Sequence, residues 1–555
     1  MTADSARSWP RHGRGSSPLE TLTHAVLGED WQAVLVLLGA NWPHYMNRHP
    51  AELLDALSAL PAAVLAENPR LKVAREYVAR TLSAQGRPLV FREAVSSDML
   101  RTPLDRCAEL TAQSVALRAA GRFTDAVAMV DTAKEVLAGL RHQELQDVAR
   151  ALPELRYQWG LTRELAGQYH AALTEYTSSF DYATATEHTR MQAMSAASAS
   201  WIHVLAGRTR AARQWLDRIP PSTPDDWWRH RTPAPAQFTR AILAIDALQP
   251  ETAEHLIDQV DIRQSAEHWA PYQFVRGVVA VYRGGARTQL AELEAFIAEI
   301  PEQQAATGGN AALLGLTRHT LFTVLGQSAN AHNALHDDRL TPAGSLLTQL
   351  AAVIEARWLA HNHQFAAARK FVVPLIGAAT AYPRVLVPAL FIAGMAYRAD
   401  GDTTTGNEYI IDALNLAPAY GLFGSITTNM RNVIDDMIAE GALDPAAADP
   451  IRHAPASGVT GSPFVALTPR EHETVTHAAA GATVTQIADA MFISPNTVKT
   501  LLKNVYRKLG VHTRTELTTL AHAHGYPPFT RPVPKNETGT TREPLQNRLR
   551  PSRHQ

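Results

Sequence analysis

Cysteine is almost missing from this chain: Cys107 stands alone among 555 residues. One thiol excludes an intramolecular disulfide framework and any zinc site built from several cysteines, and it fits a reducing compartment. Cys107 itself reads as a small, buried apolar side chain. A Gly-Lys pair is absent as well. A phosphate loop needs Gly-Lys-Ser/Thr, so that backbone amides and a lysine can hold the phosphates, and an ATP-driven switch within the chain therefore has no support. Long hydrophobic runs are lacking too. The longest, "VLVPALFIAGMAY" from Val385 to Tyr397, is bounded by Arg384 and Arg398; it is too short to span a bilayer and reads as a buried helix. Nor does either charge sign dominate. With 46% hydrophobic residues, 19% charged residues and a net charge of -1, the chain looks soluble and folded, and any affinity for nucleic acid must be local. The start "MTADSARSWPRHGRGSS" carries Arg7, Arg11 and Arg14 without an apolar core. It is no secretory signal, so a disordered segment over residues 1–16 and a cytoplasmic location are expected.

Strand-like alternation is not seen, which leaves a phospho-acceptor receiver domain unsupported. What recurs instead is a short signature: Gly or a turn-tolerant residue, a few polar positions, then Ala five places on. It reads "GEDWQA" at Gly28, "GRFTDA" at Gly121, "GQYHAA" at Gly167, "GRTRAA" at Gly207 and "GQSANA" at Gly326, with degenerate forms "NHQFAA" at Asn362 and "GDTTTG" at Gly401. Weaker copies sit at "LQPETA" from Leu248 and near Gly284. From Gly121 onward the anchors lie about forty residues apart, the period of stacked helical hairpins. Gly supplies the left-handed turn that ends the first helix, and the later Ala lets the second helix lie close against it. Between anchors, stretches such as "AVAMVDTAKEVLAGL" keep helical spacing. An all-α fold follows.

These features resemble tetratricopeptide repeats, with the long period of the divergent kind found in MalT-like regulators. The segment "LLDALSALPAAVLAENPRLKVAREYV", Leu53 to Val78, looks like the first helices of the sensor region in large members of that group. The resemblance runs from residue 17 to 441 and implies an α-solenoid that senses or interacts. Large relatives of this kind carry an ATPase module ahead of the repeats, so the resemblance suggests a shortened member or one that needs a partner chain. A solenoid presents a concave groove that either takes a peptide, protein or small molecule or packs on the chain's own ends. Within the array "RIPPSTPDDWWRHRTPAPAQ", Arg218 to Gln237, is a Pro-rich interruption. Its Trp227 and Trp228 cannot both face one helix interior; the pair is either a partner anchor or part of a loop tucked onto the solenoid.

Composition changes at residues 442–463, where Pro, Gly, Ala and Ser dominate and a flexible linker is expected. A new domain then spans residues 464–526, and its helix starts are written out. Thr468, Pro469 and Glu471 open the first helix, which Gly481 ends. Thr483 caps the short helix "VTQIADAM". In "ISPNTVKTLLKNVYRKLG", Ser494 caps a third helix, Pro495 takes its first position and Gly510 closes it. A fourth follows from Thr513, capped as T-x-x-E with Glu516. Four short helices with tight turns make a helix-turn-helix unit. In the third helix Val498, Leu502, Val505 and Leu509 recur at core spacing, while Lys499, Lys503 and Arg507 form a separate, exposed stripe. Residues 464–526 hold six basic and four acidic side chains, a net of +2, and all four charges within the third helix are positive. A helix with an anchored apolar face and a cationic outer face suits a DNA major groove.

The stretch "LTPREHETVTHAAAGATVTQIADAMFISPNTVKTLLKNVYRKLGVHTRTEL" closely resembles the LuxR-type (LuxR/FixJ, GerE-like) DNA-binding domain: the L-T-P-R-E start, the Gly, I-A, I-S, T-V-K and K-L-G-V with R-T-E follow in order. That resemblance implies base reading by Lys499, Thr500 and Lys503. It implies phosphate or groove contacts around Thr483, Thr485, Asn496, Thr497, Asn504 and Arg507. In that family the fourth helix pairs two copies, here over Thr513 to His524, so a homodimer on an inverted-repeat operator in double-stranded DNA is implied. Two departures stand out. Thr483, Val484, Thr485 and Gln486 replace the usual Ser-Asn-Lys-Glu, losing a basic contact, and Leu501 replaces a common His.

Enzyme chemistry finds no constellation to rest on. The pairs His361/His363 and His522/His524 sit two apart, point apart on a helix and lack a third ligand nearby, so they read as surface histidines. No catalytic residue, metal site or cofactor is assigned. The tail over residues 527–555 carries six basic side chains against two acids and is expected to be disordered, either inert or adding non-specific phosphate attraction. The sequence thus points to a transcriptional regulator in which helical repeats control a DNA-binding module; a repeat scaffold acting through protein contacts is the alternative.

Overall fold

The computed structural model describes residues 17–82, 102–224, 226–228, 233–262, 267–335, 345–378, 382–425, 431–452, 464, 467–523 and 526. The expected disordered start, the basic tail from residue 527 and His524 lie outside them. Contacts divide the chain into two units, Met1–Ala466 and Leu467–Gln555. Among the described residues every regular element is a helix.

The larger unit opens with a small cluster of helices between Pro18 and Leu82 that has its own core around Leu22, Leu38, Tyr45, Met46 and Leu57. Eight hairpins follow, pairing Pro103–Ala119 with Phe123–Ala138, Leu152–Leu165 with Tyr169–Ala185, Thr189–Leu205 with Thr209–Asp217, and Ala234–Asp246 with Pro250–Asp258. Trp269–Arg283 then pairs with Ala286–Glu299, Gly308–Val324 with Ser328–Leu335, Leu346–His361 with Phe365–Ala378, and Pro383–Ala399 with Thr403–Tyr420. The run Val385 to Tyr397 lies inside the last pair and is largely buried. No helix of the described residues is long and apolar enough to cross a membrane.

Each hairpin turns on one left-handed residue. Gly121, Gly167, Gly207, Leu248, Gly284, Gly326, His363 and Gly401 have φ between 57° and 92°. Two anchors shift by one place from the sequence reading: Glu29 rather than Gly28, and His363 rather than Asn362, adopt positive φ. Glu187 makes a further such turn, between hairpins, with no glycine to announce it. Five residues after the turn the second helix meets the first at Ala126, Ala172, Ala212, Ala253, Ala331 and Ala368, all fully buried. At the last hairpin even a methyl is too large. A Cβ on Gly406 would stand 2.8 Å from the Gly394 carbonyl and 2.9 Å from the Arg398 amide, so glycine replaces the alanine of the pattern.

The stack winds tightly enough for late hairpins to meet the turns of early ones. The Thr307 hydroxyl donates to the Gly121 carbonyl at 2.9 Å, and the Arg384 amide donates to the Ala206 carbonyl at 3.2 Å. Arg384 then grips Asp246 with two hydrogen bonds of 2.8 and 2.6 Å and donates twice more to the Val204 carbonyl. A Cβ on Gly207 would lie 2.4 Å from the Arg384 amide, so a left-handed glycine is required at this closure. The inner helices Leu152–Leu165, Thr189–Leu205 and Pro383–Ala399 are consequently buried on nearly every side. Much of the groove expected of an open solenoid is thus filled by the chain itself.

Other features fall into place around this core. Trp228 is buried, and the Trp227 indole donates to the Met46 carbonyl at 2.9 Å beneath the Arg190 guanidinium. Both tryptophans of the Pro-rich interruption therefore pack within the unit. Cys107 is buried, and burial pushes its thiol up to about 11, which makes it inert. The segment read as a flexible linker, residues 442–463, begins instead with a helix, Pro445–Arg452, whose start is held by the Asp444 carboxylate on the Ala446 amide. Pro at its first position, a run of alanines and an acidic cap suit a helix as well as a linker. Residues 453–463 lie outside the described ones.

Candidate nucleic-acid interface

The smaller unit is built from four helices: Pro469–Ala479, Val484–Met491, Pro495–Leu509 and Arg514–Ala523. Their ends obey the local signals. Thr468 and Glu471 exchange hydrogen bonds in a capping box, and Thr483 and Gln486 do the same. Ser494 accepts from the Thr497 amide at 3.1 Å, Thr513 from the Glu516 amide at 3.1 Å. Gly481 and Gly510 take φ of 86° and 66° to leave their helices. Between the second and third helices the chain turns on Phe492, a non-glycine residue at φ 55° whose side chain is 95% exposed.

Val475, Ile487, Val498, Val505, Leu517 and Ala521 make a fully buried core, and Leu502 joins them. Tyr526 closes it, stacked on His472 with ring centroids 6.1 Å apart and its hydroxyl bonded to the imidazole. With Val498, Leu502 and Val505 turned inward, the opposite side of the third helix is fixed. At about 100° per residue, Asn496, Lys499, Thr500, Lys503 and Arg507 fall within an arc of about 100° across the helix from that core. All five are exposed. They span eleven steps along the axis, about 16 Å, which is commensurate with a major groove about 12 Å wide.

The remaining candidates sit at the edges. Thr497 is exposed, and its hydroxyl lies 2.9 Å from that of Ser494. Thr500 donates its hydroxyl to the Asn496 carbonyl at 3.0 Å. Asn504 is half-buried and takes a long hydrogen bond, 3.4 Å, from Arg507. Thr483 and Thr485 are exposed at the start of the second helix, but the Thr483 hydroxyl is engaged with Gln486. The third helix therefore gathers seven of the nine candidates, and the other two lie on its neighbour.

Packing sorts the positive charges in a way that counting could not. Lys508 turns to the flank, where its ammonium lies 2.7 Å from the Glu471 carboxylate, itself 3% exposed. Burial would raise the Glu471 carboxyl, but Lys508 and the Thr468 amide and hydroxyl outweigh it and hold the group below the usual carboxylate range. Arg514 donates to the Ala478 and Ala482 carbonyls at the end of the first helix, and Arg470 pairs with Glu473 at 3.2 Å. What remains on the outer face is Lys499, Lys503 and Arg507. Lysine is scarce, with seven in the chain, and three of them stand in this one helix. Sequence reasoning read Glu471 as a cap but missed its pairing with Lys508; the signal available was the position of Lys508 off the stripe.

The His522 imidazole lies 2.8 Å from the Ala479 carbonyl, so it helps to hold the fourth helix to the first. Among the described residues no group of His, Cys, Asp and Glu is arranged to hold a metal ion.

The comparisons agree with this geometry. The model of the bacterial regulatory proteins of the luxR family, GerE, matches residues 465–521, so this segment is a LuxR-family helix-turn-helix domain. Over 84 residues the chain is 40% identical to the probable HTH-type transcriptional regulator GfsR of Streptomyces halstedii, a stretch that covers 14% of this chain and 35% of the relative. The chain thus spans about a third of the length of that curated relative.

Proposed function

We propose that this chain is a sequence-specific DNA-binding transcriptional regulator in which the helical-hairpin unit controls the C-terminal helix-turn-helix. The observation that carries the reading is the third helix of that domain, whose outer face is cationic and polar throughout while its one other cation, Lys508, is paired with Glu471 on the flank. Lys499, Thr500 and Lys503 are the residues to read base edges, where lysine reaches guanine acceptors and a hydroxyl serves either base type. Arg507, Asn504, Asn496, Thr497, Thr483 and Thr485 are the ones to meet phosphate and fix the register.

A single module of this size binds weakly, and two half-sites multiply affinity. Pairing through the fourth helix on an inverted repeat is therefore part of the proposal, as is a cytoplasmic site of action beside the DNA. No catalytic step is assigned. The test is enrichment of fragmented genomic DNA by the purified full chain at near-physiological salt, beside the double variant Lys499→Ala, Lys503→Ala. Recovery of a palindromic motif that the variant loses supports the reading. Recovery of no motif by the full chain or by a form starting at Phe464 would refute it and favour a protein scaffold.

A further inference from the structure

The larger unit begins with two separate apolar cores, one within the helices of Pro18–Leu82 and one around Cys107, Leu152 and Trp159. Residues of both line a cavity of about 200 Å3. Helices Trp31–Arg48 and Arg70–Leu82 contribute from the first group, Pro103–Ala119 and Leu152–Leu165 from the hairpins. Leu35, Leu38, Trp42, Leu71, Leu104 and Leu155 make its walls apolar. Most polar groups in the lining are engaged. Arg70 pairs with Asp105 at 3.1 Å, Arg150 donates to the Gly39 and Ala40 carbonyls, and the Tyr77 hydroxyl accepts a long hydrogen bond, 3.5 Å, from Arg190. The Thr111 hydroxyl donates to the Cys107 carbonyl and accepts from the Trp159 indole. Glu154 is different. It is 8% exposed, and its Oε1 accepts from the Trp42 indole at 2.9 Å and meets the His188 Nε2 at 2.6 Å. Its Oε2 is buried and accepts no hydrogen bond among the described residues. Burial would raise the Glu154 carboxyl, but His188, Trp42 and the residue's own amide outweigh it and hold the group below the usual carboxylate range.

A count of protons around Glu154 restricts what can approach it. The Asn47 amide nitrogen donates to the Glu187 carbonyl, so the Asn47 oxygen accepts from the Arg190 amide and from the His188 Nδ1, which must carry a proton. The Nε2 of the same ring and Glu154 Oε1 then share a second proton. Wherever that proton sits, His188 and Glu154 together are neutral. A cation brought to Oε2 would lose its water without a net charge to compensate it, and Arg70 and Arg150 stand in the same lining. An anion would face an acceptor. A neutral donor meets neither cost. One turn along the helix, Gln158 gives its amide oxygen to Arg118 at 2.8 Å and keeps its nitrogen as a donor. A hydroxyl, which both donates and accepts, suits this pair. A dry cavity of about 150 Å3 accommodates one benzene ring, so this one has room for a ring and a short arm. We infer that the cavity binds a small neutral alcohol or phenol with an aryl or branched-alkyl body, about ten non-hydrogen atoms in all, its hydroxyl donating to Glu154 Oε2 and its body between Leu38, Leu71 and Leu104. The role of such an alcohol as effector rests on the regulator reading; its binding does not. Since the cavity joins the first helices of the unit to its hairpins, filling it favours their packed arrangement.

The experiment is calorimetric titration and thermal melting of the full-length protein with 2-phenylethanol, its methyl ether, 2-phenylethylamine and phenylacetate, which share a body and differ in the head. The alcohol is expected to bind with a dissociation constant on the order of 0.1 to 1 mM and to raise the melting temperature. The ether, which accepts but cannot donate, should be at least about tenfold weaker, and the amine and the acid weaker than the alcohol. Glu154→Gln keeps an oxygen for Trp42 and puts an amide nitrogen in place of Oε2, so the preference for alcohol over ether should vanish. Ala74→Trp, which fills the cavity and keeps Glu154, should abolish binding of the alcohol. Circular dichroism verifies that each variant is folded. No binding of the alcohol, equal binding of the ether, tighter binding of the amine or the acid, an unchanged preference in folded Glu154→Gln or undiminished binding in folded Ala74→Trp would each overturn the site. Retention of DNA by the same preparations separates the two readings. DNA binding without alcohol binding refutes this site alone, and alcohol binding without DNA binding refutes the regulator alone.

Discussion

Lys508 and Lys503 are five residues apart on one helix and carry the same charge, yet their replacement by alanine should damage different things. Lys508→Ala removes the partner of Glu471, a carboxylate 3% exposed. Breaking a fully buried pair costs about 3–5 kcal/mol. The cost here is smaller, because Glu471 keeps its 2.7 Å bond from the Thr468 amide and sits at the positive end of its own helix, together worth about 1–2 kcal/mol. The Lys508 side chain is 27% exposed, so water replaces part of what is lost. The domain should lose about 1–2 kcal/mol. Hydrogen exchange in the full chain reads this locally: protection of the most stable amides in Pro469–Ala479 should fall roughly 5- to 30-fold. Lys503→Ala should leave that protection within about 0.5 kcal/mol of the parent. It should instead weaken operator binding by about 1–3 kcal/mol and relax the base preference at the position it reads. Were Lys508→Ala to weaken DNA binding as much as Lys503→Ala while leaving protection intact, the division into structural and DNA-facing cations would be wrong.

Three further outcomes follow from the larger unit. Burial pushes the Glu164 carboxyl up to about 7 even though the Tyr176 hydroxyl donates to it at 2.6 Å; the folded state keeps its proton between about pH 4.5 and 7 while the unfolded chain releases it, so this group's contribution to stability is complete below the lower value and lost as pH rises through the upper one, by about 3 kcal/mol. Urea titrations across that window should show the decline, and Glu164→Gln should flatten it. Gly406→Ala forces a methyl against the Gly394 carbonyl and the Arg398 amide and should cost about 1–3 kcal/mol, seen as a lower melting temperature; an unchanged value would mean that the hairpin opens freely. Arg384→Met leaves Asp246, whose side chain is 2% exposed, without its cation and should cost about 3 kcal/mol in the same assay, whereas the double variant Arg384→Met, Asp246→Leu should recover most of it.

Signals that act within a few residues were legible in the sequence, and they fixed the helices. The capping pairs Thr468/Glu471 and Thr483/Gln486, the Ser494-Pro495 start and the closing Gly510 each hold in the structure as read, because a cap is a bond between neighbours that any packing must respect. The same holds for Val498, Leu502 and Val505 against Lys499, Lys503 and Arg507, since a helix cannot alter which residues share a side. The repeat was legible where glycine marked the turn and shifted by a place where Glu29 or His363 took the left-handed conformation without one.

Long-range pairing decided the rest. Nothing near Lys508 in sequence tells it to reach Glu471, thirty-seven residues away, or tells Arg384 to close the stack on Asp246 at a separation of 138. Those choices depend on how whole helices lie against one another, and they settle which charges stay free, whether a groove is open or filled and where a cavity is left. The sequence by itself therefore determined the helices, their turns and the cationic face of the third helix, through interactions a few residues long. Only the tertiary structure committed Lys508 to Glu471 and Arg514 to the carbonyls at the end of the domain's first helix, and turned Trp227 and Trp228 inward, because burial and partnership are properties of packed surfaces and not of neighbours along the chain.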